Sequence, residues 1–249
     1  MASVFKEIYS VAWGDIRFMR HNLLNIIAAT LVSPILYLIA FGYGMGQGVV
    51  MDGVPYLAFI IPGIVALSSL NASFSSTATR LNVQRLYYGS FDEMMMCPIR
   101  VSSIVLGKTV LGIVRGLISC LLIFILGLFL TDKLMFTPIF FLSLILACVT
   151  FSLLGEMSAL LAKSHQSMAT FNTLIILPMT FLCGTFFSVS ILPEVFQWAL
   201  YAIPLTHASS CIRAGALGWE FPWISLVVMF AFCIAFFLID CYLVKYRKV

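Results

Sequence analysis

The chain has 249 residues, 62% of them hydrophobic and 10% charged, with a formal net charge of +4 and a mean hydropathy of +1.08. This balance excludes a soluble domain and places the chain among integral membrane proteins. Backbone polar groups in lipid must be paired internally, and the alternating segments of a membrane barrel are absent, so the expected fold is all-α.

Residues 1–21 precede the first long apolar run and read as an amphipathic interfacial helix. Phe5, Ile8, Tyr9, Ala12, Trp13, Ile16 and Met19 fall on one arc, with Lys6, Ser10, Arg17 and His21 on the other. Such a helix lies flat on the cytoplasmic leaflet, as an anchor or as a lever that touches a cytoplasmic partner. The run that follows is too long, and its charged leader too extended, for a cleavable signal peptide.

Six spans are expected, near residues 23–45, 56–78, 104–130, 137–161, 168–189 and 222–244. Lys6, Arg17, Arg20, Arg80, Arg85, Arg100, Lys108, Lys163, Lys245, Arg247 and Lys248 fall on one side, against Lys133 and Arg213 on the other. This asymmetry places both termini in the cytoplasm of a multi-pass protein of the inner membrane. Residues 1–249 form one transmembrane domain, without an internal repeat, a Walker-type phosphate loop, or soluble segments large enough for a nucleotide-binding domain.

The cytoplasmic connection at residues 79–103 is too apolar to be merely solvated. Ser90 before Phe91-Asp92-Glu93 offers a helix start with acids in the first turn, and Pro98 ends the element. The Phe, Tyr and Met side chains suit either a groove on another protein or the undersides of the chain's own spans. In the membrane, Arg115 in the third span and Glu156 in the fourth reach comparable depth. A structural Arg115–Glu156 pair is favoured over a proton relay or a substrate contact, and Asp240 is expected to pair with a basic residue such as Lys245. Gly112 and Gly116 form a GxxxG that permits a close helix contact, and the serines of the spans are read the same way. His21, His165 and His207 are scattered, so no metal site is expected. The cysteines lack paired spacing; Cys183 and Cys211 share the outer side, where a disulfide is conceivable though disfavoured.

Between the fifth and sixth spans the chain is long, half apolar and aromatic. Gly184, Pro193 and Pro204 punctuate it, with His207 and Arg213 expected near the headgroups. Residues 190–220 therefore read as a re-entrant outer hairpin.

This stretch carries a resemblance that runs over essentially the whole chain. Pro178, Phe181-Leu182-Cys183-Gly184, Phe186-Phe187, Leu192-Pro193, Phe196-Gln197, Pro204-Leu205, His207 and Ile212-Arg213 resemble the six-span permease subunits of type-2 ABC exporters. Within that family the chain looks most like the nodulation-factor (lipo-chitooligosaccharide) export permeases and related drug and polysaccharide exporters. Pro34-Ile35-Leu36-Tyr37, Asp52-Gly53-Val54 and Tyr56-Leu57 extend the similarity, whereas Ser188 stands where the family often has Pro. The resemblance implies a second copy of the chain and two cytoplasmic ABC ATPase subunits. ATP and Mg²⁺ would sit on those subunits, with no cofactor and no nucleic acid on this chain. It implies ATPase-coupling contacts at Tyr87, Tyr88, Phe91, Asp92 and Glu93. Tyr37, Tyr43, Phe74, Phe171, Phe181 and Phe186 become candidates for the pathway or dimer face, each with lipid-facing or packed roles as the alternative. The implied substrate is amphiphilic: a lipid-linked saccharide, a polysaccharide or a lipophilic drug. An ion-coupled secondary transporter working without an ATPase is the alternative function, and a membrane-embedded enzyme is disfavoured for want of a nucleophile–base or metal constellation.

Overall fold

The structure is a computed structural model that describes residues 3–45, 48–135, 137–182, 184–189 and 193–246, apart from the side chains of residues 23–25, 27, 29, 43 and 45. The first helix, α1 (Val4–His21), carries Glu7 in its first turn and Arg20 and His21 in its last, both favourable to the helix dipole. Its aromatic face points outward, with Phe5, Tyr9 and Trp13 exposed, while Val11, Ala12 and Met19 pack inward. Its main neighbour is α5 (Val101–Leu130), which it meets at Gly107, where Val11 leaves no room for a larger residue.

After Asn22 the chain enters α2 (Leu23–Tyr37), which continues without a break into a π-helical segment, Leu38–Met45. A two-stranded hairpin follows, β1 (Val50–Met51) and β2 (Val54–Pro55), turned by Asp52 and Gly53 at φ 48° and 80°. Positive φ at both turn residues is what a tight two-residue hairpin requires. Next comes α3 (Tyr56–Leu86), whose 31 residues give it a length of about 46 Å. The hydrocarbon core is only ~30 Å thick, so α3 emerges from it and carries Arg80, Gln84 and Arg85 beyond. The short α4 (Ser90–Met95) leads into α5, and α6 (Pro138–Leu161) follows, opened by Pro138 at its first position and capped by the Thr137 hydroxyl. The fifth apolar stretch is composite: α7 (His165–Phe171), a π-helical segment (Asn172–Ile176) and α8 (Leu177–Leu182). Beyond it lie α9 (Glu194–Tyr201), α10 (Pro204–Leu217) and α11 (Trp223–Tyr246).

Among the described residues four helices are long and apolar enough to cross a membrane: α3, α5, α6 and α11. The all-α membrane expectation is met to that extent. The remaining two expected spans coincide with the helical runs that contain π segments.

α3 is the axis of the molecule and is buried along most of its length by α5, α6 and α10. Small residues set the approach. A Cβ at Gly112 would press into the Thr77 and Ser152 hydroxyls, and one at Gly116 into the Ser73 hydroxyl, so the third-span GxxxG is indeed a helix contact. The same seam is hydrogen-bonded: the Ser152 hydroxyl donates to the Thr109 carbonyl at 2.8 Å and lies 2.7 Å from the Thr77 hydroxyl. The side chain of Arg85, on the last turn of α3, donates to the carbonyls of Ala159, Leu160 and Ala162 at the end of α6. A cation there satisfies carbonyls that the helix leaves open.

Candidate functional site

Two of the expected site residues, Tyr37 and Arg115, meet at a polar cleft of about 460 Å³ between α2, α3, α5 and the π segment after α7. α2 contributes Thr30, Ser33 and Pro34; α3 contributes Ser68, Asn71 and Ser75; the composite fifth stretch contributes Asn172, Thr173 and Thr180. Pro34 cannot donate to the Thr30 carbonyl, so it leaves a backbone acceptor open at the wall. The π segment holds an extra residue per turn and brings Asn172, Thr173 and Ile176 to the opposite wall. Arg115 is the cation of this cleft. One of its terminal nitrogens donates to the Thr30 hydroxyl at 3.3 Å, while its Nε is buried without a partner.

Arg115 and Glu156 do not form the expected pair. Glu156 and Asp240 are both fully buried, and neither carboxyl has a hydrogen-bond partner. They lie close enough to act on each other electrostatically, and Lys108 acts on Glu156 as a cation. Depth alone suggested Arg115 for Glu156; Arg115 lines the cleft and Glu156 does not. Asp240 likewise turns inward instead of meeting Lys245, whose ammonium stands over the Tyr246 ring.

Where the last turns of α3 meet the first turns of α5 sits a charge cluster that the helical wheel of residues 1–21 did not reveal. Asp15 on α1 is 2% exposed and accepts from Arg80 Nε at 2.8 Å, Gln84 Nε2 at 2.8 Å and Lys108 Nζ at 2.9 Å. Lys108 Nζ also donates to Gln84 Oε1 at 2.7 Å. Nearer the start of α1, the Ser103 hydroxyl donates to Glu7 at 2.7 Å and holds that carboxyl below its ordinary range. The interfacial helix is thus tied by charge to the corner between α3 and α5.

The coupling candidates divide. Tyr87 and Tyr88 are each 67% exposed and Glu93 is exposed, with the Tyr87 ring 5.0 Å from His165. Asp92 is half-buried. Phe91 is not on that face. It is fully buried among Leu81, Ile104, Val105, Leu153 and Val244, where it plugs the space beneath the helix ends. The six-residue α4 turns Phe91 into this cluster of its own chain.

The aromatic candidates divide as well. Phe74 is buried and stacks on Phe171 at 6.1 Å, a packing role. Phe186 is 5.5 Å from the Tyr37 ring, 4.7 Å from the Phe41 ring and 6.2 Å from that of exposed Phe181. The Tyr43 side chain lies outside the described residues.

Gly184 takes a left-handed φ of 69° after α8. Pro193 and Pro204 open α9 and α10 and do not close helices. Proline suits a first turn, where its missing N–H has no helical acceptor. Arg213 and His207 are buried. Arg213 donates to the Gly184 carbonyl at 2.9 Å and stacks 3.9 Å above the Phe59 ring, pinning α10 and the loop after α8 to α3. Its ties to the loop demand close approach: a Cβ on Gly63 would strike the Thr185 carbonyl. His207 Nε2 is 2.8 Å from the Tyr201 carbonyl. Cys211 is a buried free thiol, and Cys183 lies outside the described residues.

The profile of the ABC-2 type transporter family matches residues 6–217, from α1 through α10. The chain belongs to the ABC-2 type transporter family. It is 29% identical over 227 residues to the inner membrane transport permease YadH of Escherichia coli (strain K12), covering 88% of each chain. It is 32% identical over 196 residues to nodulation protein J of Rhizobium leguminosarum bv. trifolii, covering 76% of this chain and 72% of that one. Nodulation protein J of Rhizobium meliloti (strain 1021) is 30% identical over 198 residues, covering 77% and 74%. The suspected resemblance is therefore correct at the level of the family.

In this ABC-2 chain the sequence reading missed most of the cleft. The serines of the spans are read as helix contacts, yet Ser68, Asn71, Ala72 and Ser75 recur at helical spacing along one stripe of α3. A polar stripe in an otherwise apolar span was the available signal. Asp15 gave a weaker one, as an acid two residues before Arg17 on a helix whose other charges are Lys6, Glu7, Arg17 and Arg20.

Proposed function

We propose that the chain is the membrane subunit of an ATP-driven exporter that works as a homodimer with two cytoplasmic ABC ATPase subunits. In this reading it has six spans, with the π-interrupted runs as the first and fifth, both termini in the cytoplasm, and α9 and α10 as a re-entrant outer hairpin. ATP and Mg²⁺ act on the partner subunits. The substrate is an amphiphile, whether a lipid-linked saccharide, a polysaccharide or a lipophilic drug.

The observation that carries this reading is the polar cleft inside an apolar bundle. A purely structural membrane subunit has no use for a wall of amides and hydroxyls at that depth, since such groups are costly in lipid unless they line a path. Family membership and permease-type relatives support it. Exposed Tyr87, Tyr88 and Glu93 offer the ATPase contact, and the Asp15 cluster passes movement of α1 to α3 and α5. Nucleotide can shift the access state only through unequal affinity for the two states.

The test is reconstitution of the full chain with its ATPase subunit in liposomes. ATP-dependent movement of a lipid-linked saccharide or lipophilic dye is expected, lost on removal of the ATPase. Transport driven by an ion gradient without the ATPase would sink the reading in favour of a secondary transporter.

A further inference from the structure

Arg115 is placed for a partner that its own chain does not supply. Seven residues separate it from Lys108 along α5, which puts it about 10 Å deeper along the helix axis. Lys108 is satisfied there by Asp15 and Gln84. Arg115 makes no ion pair among the described residues, and its bond to Thr30 is long at 3.3 Å. Its Nε is buried without a partner, as is the hydroxyl of Ser68, which lines the same cleft from α3. A guanidinium carries five donors in a planar fork that matches the paired oxygens of a phosphate or carboxylate.

The surroundings are neutral and hydrogen-bonding, not acidic. Among the described residues no aspartate or glutamate lines the cleft, while Ser33, Asn71, Ser75 and Asn172 do. Such groups match hydroxylated ligand atoms. A cleft of about 460 Å³ falls in the range that holds a small-molecule head group. Leu177 on its lip, with Leu36 and Leu174 nearby on the same two walls, is exposed and apolar.

We propose that this cleft binds an oxyanion on a hydroxylated head group, with Arg115 as its anchoring cation and the amide and hydroxyl walls receiving the neighbouring polar atoms. The proposal rests on the exporter reading for its meaning as a substrate subsite. The head group is a phosphate or similar anion carried by an amphiphile, which separates it from neutral lipophilic cargo.

The test uses the full chain purified in dodecyl maltoside, without an ATPase, and follows thermal unfolding during titration with dodecyl phosphate, dodecanol or inorganic phosphate. Dodecyl phosphate is expected to stabilise the protein where dodecanol does not. Its half-effective concentration should rise at least about tenfold in Arg115→Gln, the scale of losing a charged hydrogen-bond partner. A response to inorganic phosphate with the same Arg115 dependence would support the anion site and assign it to a solute. Asn172→Leu fills the cleft from an exposed position on the opposite wall and leaves the guanidinium in place; it should weaken the response too. Equal stabilisation by dodecanol, or a dodecyl phosphate response unchanged in either variant, overturns the proposal. Because no ATPase enters this experiment, such a result would leave the exporter reading standing. Failure of ATP-driven transport would not by itself remove the anion site.

Discussion

Replacing Asp15 by Ala removes the acceptor shared by Arg80, Gln84 and Lys108. Arg80 is 22% exposed on its side chain and can turn to water, but the Lys108 side chain is 3% exposed and cannot. Lys108 keeps one acceptor, Gln84 Oε1 at 2.7 Å, and a buried ammonium stands otherwise alone. Breaking a buried pair from one side costs about 3–5 kcal/mol, because the orphaned charge stays in place. Lys108→Met removes the charge instead and leaves Asp15 with two donors, so its cost should be smaller, on the order of 1–2 kcal/mol. The double variant should therefore be less destabilised than Asp15→Ala alone. Equilibrium unfolding of the full chain in mixed micelles measures all three. A loss below about 1 kcal/mol in Asp15→Ala, or strict additivity in the double variant, would refute the reasoning.

Gly112→Val should destabilise by about 1–3 kcal/mol through overpacking against Thr77 and Ser152. Gly14→Ala, with nothing within 4 Å of the added carbon, should stabilise α1 by roughly 0.5–1 kcal/mol in the same unfolding measurement. Glu156→Gln and Asp240→Asn should each leave stability within about 1 kcal/mol or raise it, since neither carboxyl has a hydrogen-bond partner to lose; a loss above ~3 kcal/mol would reveal a cationic partner. Tyr87→Ala combined with Tyr88→Ala should keep the folded elution profile while lowering transport-coupled ATP hydrolysis in the reconstituted complex. Phe91→Asp should abolish the folded profile, because the new carboxylate would sit in a fully buried apolar cluster.

The membrane class and the all-α fold were legible because they depend on composition and run length, which sequence carries directly. The close approach at Gly112 and Gly116 was legible for a similar reason, since a missing side chain needs no partner to be read. What depends on helix rotation was not. Arg115 and Glu156 share a depth, but depth does not say which face of α5 or α6 each occupies. Phe91 was apolar and flanked by acids in either setting, docked or buried; only the positions of α3, α5, α6 and α11 decide it. Arg213 looked like a headgroup residue because it is charged and near a predicted boundary. The open carbonyls after α8 draw it inward, and those arise from a left-handed turn at Gly184 that spacing alone does not locate.

Helix α6 is held at both ends by hydrogen bonds from different parts of the chain. At its last turn the Arg85 guanidinium ties it to α3, two residues before exposed Tyr87. At its first turn the Thr137 hydroxyl donates to the Gly215 carbonyl at 2.6 Å, and Gly215 presses on the Phe140 backbone. Its 24 residues make a rod of about 36 Å, with no proline or π turn along its interior to bend it. A push delivered at the tyrosines therefore travels down a strut clamped at each end and arrives at α10. The two ends of the bundle are mechanically joined by an uninterrupted helix, while the two π-interrupted runs border the cleft.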